Sequence, residues 1–204
     1  MEIICLDLEG VLIPEIWINL AQKTGIQSLS LTTRDIPDYK QLMRQRLSTL
    51  EKNNLTITDI HKVVEKMSPL DGATDFVERL REKYQLVILS DTFYEFVKPL
   101  MRQLNWPTLF CHHLEIQEKK ITDYKLRTSD HKRKAIKAFK ELHFNVFAAG
   151  DSFNDTSMLM EAELGVLFNA PIRVIKSFPN LPTCNSYDEL LEIFKKKSLS
   201  SCVS

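Results

Sequence analysis

Short, unbroken apolar runs alternate along the chain with stretches whose apolar positions recur every three to four residues. Four runs stand out: IICL at 3–6, QLVILSD at 85–91, NVFAAGD at 145–151 and LGVLFNA at 164–170. Each is rich in Val, Ile, Leu, Phe or Ala, which suits strands covered on both faces of a parallel sheet. Helical periodicity fills the intervals at 74–83, 93–104, 132–142 and 154–162. Strands alternating with helices predict an α/β fold, a doubly wound parallel sheet of Rossmann-like type.

The interval 14–70 breaks this rhythm. It carries three helical patterns, at 15–24, 36–51 and about 57–67, and no convincing strand. Pro14 stands at the start of the first, a position where proline is favoured. Ile36, Tyr39, Leu42, Met43, Leu47 and Leu50 form one stripe along the second. Thr56 precedes the third. Such an interval is too long for a simple crossover. Residues 14–70 are therefore read as a helical subdomain inserted after the first strand, with 1–13 and 71–204 forming the core. Residues 112–127, HHLEIQEKKITDYKLR, read as a hairpin with its polar turn at 117–120. The tail 198–204, SLSSCVS, reads as a frayed end. There is no internal repeat and no G-x-G-x-x-G, so the usual dinucleotide fingerprint is missing.

Composition narrows the partners. The 204 residues suffice to bury ~70% of the unfolded surface in one core. Lys and Arg number 27, as do Asp and Glu, so the formal charge is zero and nothing invites nucleic acid or an anionic membrane. No apolar run approaches the ~20 residues that span a bilayer. The chain opens on an acid rather than a basic leader, which points to a cytoplasmic protein. Cys5, Cys111, Cys184 and Cys202 are scattered, without a C-x-x-C pair, and are expected to be reduced thiols, with Cys5 as plain core.

Chemistry is concentrated where the apolar runs end. Asp7 and Glu9 follow the first, Ser90 and Asp91 close the second, and Asp151, Asn154 and Asp155 follow the third. If the strands are parallel, all three groups share the rim where open α/β sheets bind ligands. Clustered carboxylates call for a cation, and hard oxygen ligands suit Mg²⁺. Asp7, Glu9 and Asp151 are the candidate metal residues. Ser90 offers a hydroxyl ahead of a helical pattern, whose N-terminus would face a phosphate. Asp91 and Asn154, in the same strand-end groups, join the substrate-binding candidates. The basic run DHKRK at 130–134 should supply a cation for the phosphate: Lys132 is preferred, with Arg133 and Lys134 as alternatives.

In this order the stations DLEGV, LSDT, HKRK and GDSFND resemble those of the haloacid dehalogenase-type phosphotransferases. The inserted helices resemble that family's C1 cap. CLDLEGVLIPEIW, TTRDIPDY, LSDTFYEF and AAGDSFNDT together resemble one subgroup, bacterial phosphoserine phosphatases that also transfer phosphate to homoserine. Glu9 departs from the wider family's Asp but agrees with the subgroup. The resemblance implies that Asp7 is a nucleophile forming an aspartyl-phosphate. It implies Mg²⁺ held by Asp7, Asp151 and the Glu9 carbonyl, phosphate held by Ser90 and Lys132, and Glu9 as the proton shuttle. A homodimer stays open.

The resemblance also suggests how the substrate is read. Arg46 interrupts the apolar stripe of 36–51, either snorkelling to solvent or reaching an anion. Glu15 lies at the entrance of the insertion, either as a first-turn acid on the helix dipole or as a ligand. Phosphoserine phosphatases use a cap Glu and a cap Arg for the substrate's ammonium and carboxylate, and Glu15 and Arg46 fall where those should be. His112 and His113 lack the spacing of zinc ligands and are expected to be structural or on the surface. Two readings compete. A receiver-type signalling domain would carry its phosphorylated Asp at the third strand, on a shorter chain without a large insertion. A phosphatase of the same family for another small phosphomonoester would differ only in its cap.

Overall fold

The structure is a computed structural model that describes residues 1–33, 35, 36 and 38–201. Seven strands form one sheet: β1 (Glu2–Leu6), β2 (Gln85–Phe93), β3 (Thr108–Gln117), β4 (Lys120–Lys125), β5 (Asn145–Gly150), β6 (Leu164–Phe168) and β7 (Thr183–Cys184). Their order is β4-β3-β2-β1-β5-β6-β7, so β1 is central. Every pairing is parallel except β3 with β4, the hairpin expected at 112–127.

Alternation along the central strands sends side chains to two packed layers. Ile4, Leu6, Ile88, Phe147, Ala149 and Phe168 face one side. There they meet α4 (Ala73–Arg81), α5 (Tyr94–Gln103) and α9 (Tyr187–Ser201) through Phe76, Phe96 and Phe194. Ile3, Cys5, Val87, Leu89, Val146 and Ala148 face the other side. They meet α6 (His131–Glu141), α7 (Thr156–Glu161) and α8 (Ile172–Ser177) through Ile136, Met158 and Val174. Cys5 is core, and burial pushes its thiol pKa far up. With both faces covered, the strands read as continuous apolar runs.

Between β1 and α4 the chain forms α1 (Ile16–Thr24), α2 (Tyr39–Lys52) and α3 (Ile57–Val64), all packed on the first layer. The excursion is stitched at its base, where Leu70 N–H donates to the Leu12 carbonyl at 2.9 Å. α2 starts later than the expected 36–51 because Asp38 caps it, accepting the Lys40 N–H at 2.9 Å. Positions 34 and 37 of the TTRDIPDY segment lie outside the described residues. α3 stops at Val64, short of the expected 67.

Several expectations need correction. β2 continues to Phe93, so Ser90 lies inside a strand rather than directly before a helix, and the helix expected at 93–104 begins at Tyr94. The helix expected at 154–162 is a 3₁₀ turn at Phe153–Asp155 followed by α7. The strand expected at 164–170 ends at Phe168. The tail is helical through Ser201, and the Ser198 hydroxyl donates to Glu2 Oε2 at 2.7 Å. Residues 202–204, including Cys202, lie outside the described residues. Among the described residues, no helix is long and apolar enough to cross a membrane.

Candidate active site

Asp7, Glu9, Glu15, Arg46, Ser90, Asp91, Lys132, Asp151 and Asn154 all line one cavity of about 630 Å³. It sits over the carboxyl ends of β1, β2 and β5, walled by α1 and α2. Parallel strands align their ends, so residues far apart in the chain share this rim.

Asp7 continues β1, its N–H donating to the Ala149 carbonyl at 2.9 Å, which holds it beside β5. Its side chain is buried, and Oδ1 accepts the Leu8 N–H at 2.8 Å. Just beyond, Gly10 turns the chain at φ +80°, and a Cβ there would lie 2.6 Å from Asp151 Oδ2. Glycine is thus required twice over, for conformation and for the approach of Asp151. Asp155 organises the turn after β5: its Oδ2 accepts the N–H groups of Asp151 and Ser152, each at 3.1 Å.

Lys132 projects into these acids, with Nζ 2.8 Å from Asp7 Oδ1, 2.7 Å from Asp155 Oδ1 and 3.4 Å from Asp91 Oδ2. Burial alone would lower the lysine's pKa, but Asp155, Asp7 and Asp91 hold it well above its ordinary value. Asp7 is pushed well above the usual carboxylate range by burial and then by Asp155, with Asp151 adding to the rise and Lys132 opposing it. Lys132 answers Asp7 and Asp155 of this set directly. Asp7, Asp151 and Asp155 bring ligand oxygens within 4.8 Å of one another, and an all-oxygen donor set fits a hard divalent cation. The third carboxylate of the cluster is Asp155. The Glu9 carboxylate is not one of these three; it lines the cavity beside the inserted helices, where Oε2 accepts the Ile16 N–H at 3.0 Å at the start of α1. Arg133 is spent on Glu161 at 2.8 Å and Lys134 on Thr128 Oγ1 at 2.8 Å, which leaves Lys132 as the member of its run that enters the cluster.

The opposite wall carries Arg46. It is buried, with its guanidinium 4.5 Å over the Trp17 ring and one nitrogen donating to the Leu31 carbonyl at 2.9 Å. Its Nε has no hydrogen-bond partner among the described residues. Burial lowers its pKa to about 10, so the group stays charged at neutral pH. An unsatisfied buried N–H on a cation is costly, and it marks a position where an anion would be stabilised. Glu15 precedes α1 on the same cavity.

Two residues of the site escaped the sequence reading. His112 is buried at the cavity and lies 3.4 Å from Asp91 Oδ1 through Nε2. His131, which opens α6, lies 3.1 Å from the same oxygen. His113 is exposed and pairs with Glu95 at 3.0 Å, as expected of a surface histidine.

Residues 1–163 match the haloacid dehalogenase-like hydrolase family. The chain is 56% identical over 202 residues to a phosphoserine phosphatase ThrH of Pseudomonas aeruginosa, covering 98% of each chain. It is also 56% identical over 199 residues to a phosphoserine phosphatase of Pseudomonas syringae pv. tomato, covering 97% of this chain and 84% of that one. Among solved structures, a phosphoserine phosphatase in apo form superposes with a TM-score of 0.76 at 23% identity, covering 95% of this chain and 98% of that one, a likeness of fold. The chain belongs to the haloacid dehalogenase-like hydrolases. This sets aside the receiver reading, and so does the placement of the acid pair directly after the first, central strand.

Proposed function

We propose that this protein is a Mg²⁺-dependent phosphoserine phosphatase that works through an aspartyl-phosphate and also passes the phosphoryl group to homoserine. The reading places it in the cytoplasm, in serine and threonine biosynthesis, with residues 14–70 as a C1 cap. The observation that carries it is the pairing of two walls. Asp7, at the end of β1, and Lys132, at the start of α6, face the cavity from the core, while Arg46 and Glu15 face it from the inserted helices. Phosphoserine carries a phosphate for the first wall and a carboxylate and an ammonium for the second. The high identity to two named phosphoserine phosphatases supports the same substrate.

In the first step an Asp7 carboxylate oxygen attacks phosphorus, the bond to the seryl oxygen breaks, and Glu9 gives that oxygen its proton. In the second, Glu9 takes a proton from water or from the homoserine hydroxyl. That oxygen attacks phosphorus and frees Asp7. Ser90 and Lys132 hold the phosphate oxygens, which serves catalysis through position and charge. Asp7 and Asp151, with the Glu9 carbonyl, would hold Mg²⁺, which supplies charge neutralisation between nucleophile and phosphate. Asp155, whose carboxylate already serves Lys132 and the turn at 151–152, supports the set.

A panel of phosphomonoesters with Mg²⁺, run with and without homoserine, tests the reading. Phosphoserine should give the highest kcat/KM, and labelled phosphate should appear on homoserine while free phosphate falls. Preference for another phosphomonoester overturns the substrate. Absence of label on homoserine at high concentration overturns the transferase half alone.

A further inference from the structure

Beside the carboxylate cluster lies a second one built on Asp91. Leu89 pairs with Phe110 and Phe93 with His112, so four steps along β2 oppose two along β3. The surplus falls on Ser90, Asp91 and Thr92, and an irregularity of this kind re-aims a side chain. Asp91 Oδ1 lies 3.1 Å from His131 Nε2 and 3.4 Å from His112 Nε2. Oδ2 accepts the Asn154 amide at 2.8 Å and stands 3.4 Å from Lys132 Nζ. His112 Nδ1 accepts the Arg127 N–H at 3.2 Å, so the imidazole proton sits on Nε2 and points at Asp91. Burial would raise the Asp91 pKa, but Lys132 and the two imidazoles hold it well below the usual range. The Asp91 backbone carbonyl accepts the Tyr39 hydroxyl at 3.3 Å, and Tyr39 opens α2.

Asp91, His112 and His131 also bring possible metal-ligand atoms within 4.8 Å. A metal would need the lone pair of His112 Nε2, and that moves the proton to Nδ1, against the Arg127 N–H. Metal-bound histidines normally offer their other N–H to an acceptor. The Lys132 ammonium already stands against the same carboxylate. Protons, rather than a cation, complete this cluster.

We propose that Asp91 is a positioning residue: gripped by His112 and His131, it fixes the heads of Lys132 and Asn154 on the phosphate side of the cavity and ties them to α2 through Tyr39. The inference rests on the phosphoryl-transfer reading of the site, not on the identity of substrate or acceptor. Asp7 and Asp155 stand 2.8 and 2.7 Å from the Lys132 ammonium, while Asp91 at 3.4 Å sets a third direction by charge and leaves the third proton to a phosphate oxygen. Two carboxylates leave the head free to swing about the line between them; the third defines one position. That definition matters because misplacing a group by ~1 Å can cost ~10²-fold in rate.

The test is hydrolysis of a generic aryl phosphate by the Mg²⁺-loaded protein, which needs no particular alcohol. Asp91→Asn turns an acceptor into a donor facing donors and should lower kcat by roughly 10–100-fold. His131→Leu should lower it about tenfold, while His131→Gln, whose amide can replace the Nε2–H, should stay within about threefold of wild type. Asp91→Asn with His131→Leu should be no slower than Asp91→Asn alone, since both act through one contact. Independent, multiplying losses overturn the proposal, as does a Gln variant as slow as the Leu variant. Stoichiometric binding of Zn²⁺ that His131→Gln abolishes overturns it in favour of a metal site. A wild type inert towards every phosphomonoester removes the phosphoryl-transfer reading itself, an outcome distinct from any pattern among the variants.

Discussion

Two clusters border one cavity, and each gathers three residues of metal-ligating type within 4.8 Å. In the first, Asp7, Asp151 and Asp155 gather three carboxylates, and Asp7 and Asp155 of these pair with Lys132. In the second, one carboxylate meets two imidazoles, an amide and the same lysine. The capacity to ligate a metal does not by itself separate them. The balance of lone pairs against protons does. Surplus lone pairs in a buried site invite a cation, whereas a carboxylate supplied with enough N–H groups is already complete.

The largest test of this contrast is Asp7→Asn. It removes the proposed nucleophile but keeps the shape, and turnover should fall by on the order of 10⁴-fold or more. Initial rates measure it, with circular dichroism to confirm an unchanged fold. Turnover near wild type would mean that the surplus acids do not carry the chemistry.

Arg46→Ala comes next. It should lose on the order of 2–5 kcal/mol of transition-state binding for phosphoserine if a buried partner is left unpaired. Phosphoethanolamine, which lacks the carboxylate, should lose much less relative to its own poor wild-type rate. Equal proportional losses on the two substrates would point to disturbed packing of α2.

Mg²⁺ discriminates the clusters directly. At 100 times its Kd it should stabilise the folded protein by about 2.7 kcal/mol, read as a rise in thermal midpoint. Asp151→Asn should shrink that rise and Asp91→Asn should preserve it. Loss of the rise in Asp91→Asn would erase the distinction drawn between the two clusters.

The smallest effect extends the logic to the surface. Asp59 accepts from the Thr56 N–H and hydroxyl and from Lys62, and these bonds lower its pKa to about 2. A carboxyl lowered on folding stabilises fully above its unfolded value of ~3.9 and loses that contribution as pH falls towards its folded value. Asp59→Asn should therefore cost on the order of 0.5–1 kcal/mol at pH 7, and its gap from wild type should close as pH falls from 4 to 2 in denaturant titrations.

The sheet was legible because β1, β2, β5 and β6 are covered on both faces and so read as continuous apolar runs. The first cluster was legible for the same reason, since its acids mark where those runs stop. α9 was obscured by the serines at its end, although Leu190, Leu191 and Phe194 carry a buried stripe. The second cluster was hidden because its members meet through a bulge. The available signal was the apolar Phe93 after Ser90 and Asp91, which suggests a strand continuing past a polar interruption. No spacing rule links His112 to His131, and none foretells that Glu9 turns towards α1.

The hydrogen bond from Leu70 to Leu12 bears on how such a site can diversify. The chain leaves the sheet just after its acids and returns to a point one hydrogen bond away. To the strands, everything between is a closed loop, and closing a longer loop costs only ~0.6 kcal/mol per doubling of length. The excursion can therefore be lengthened, trimmed or exchanged as a cassette while Asp7 keeps its place. On the proposed reading, the reaction and the choice of substrate would lie on separately replaceable stretches of one chain.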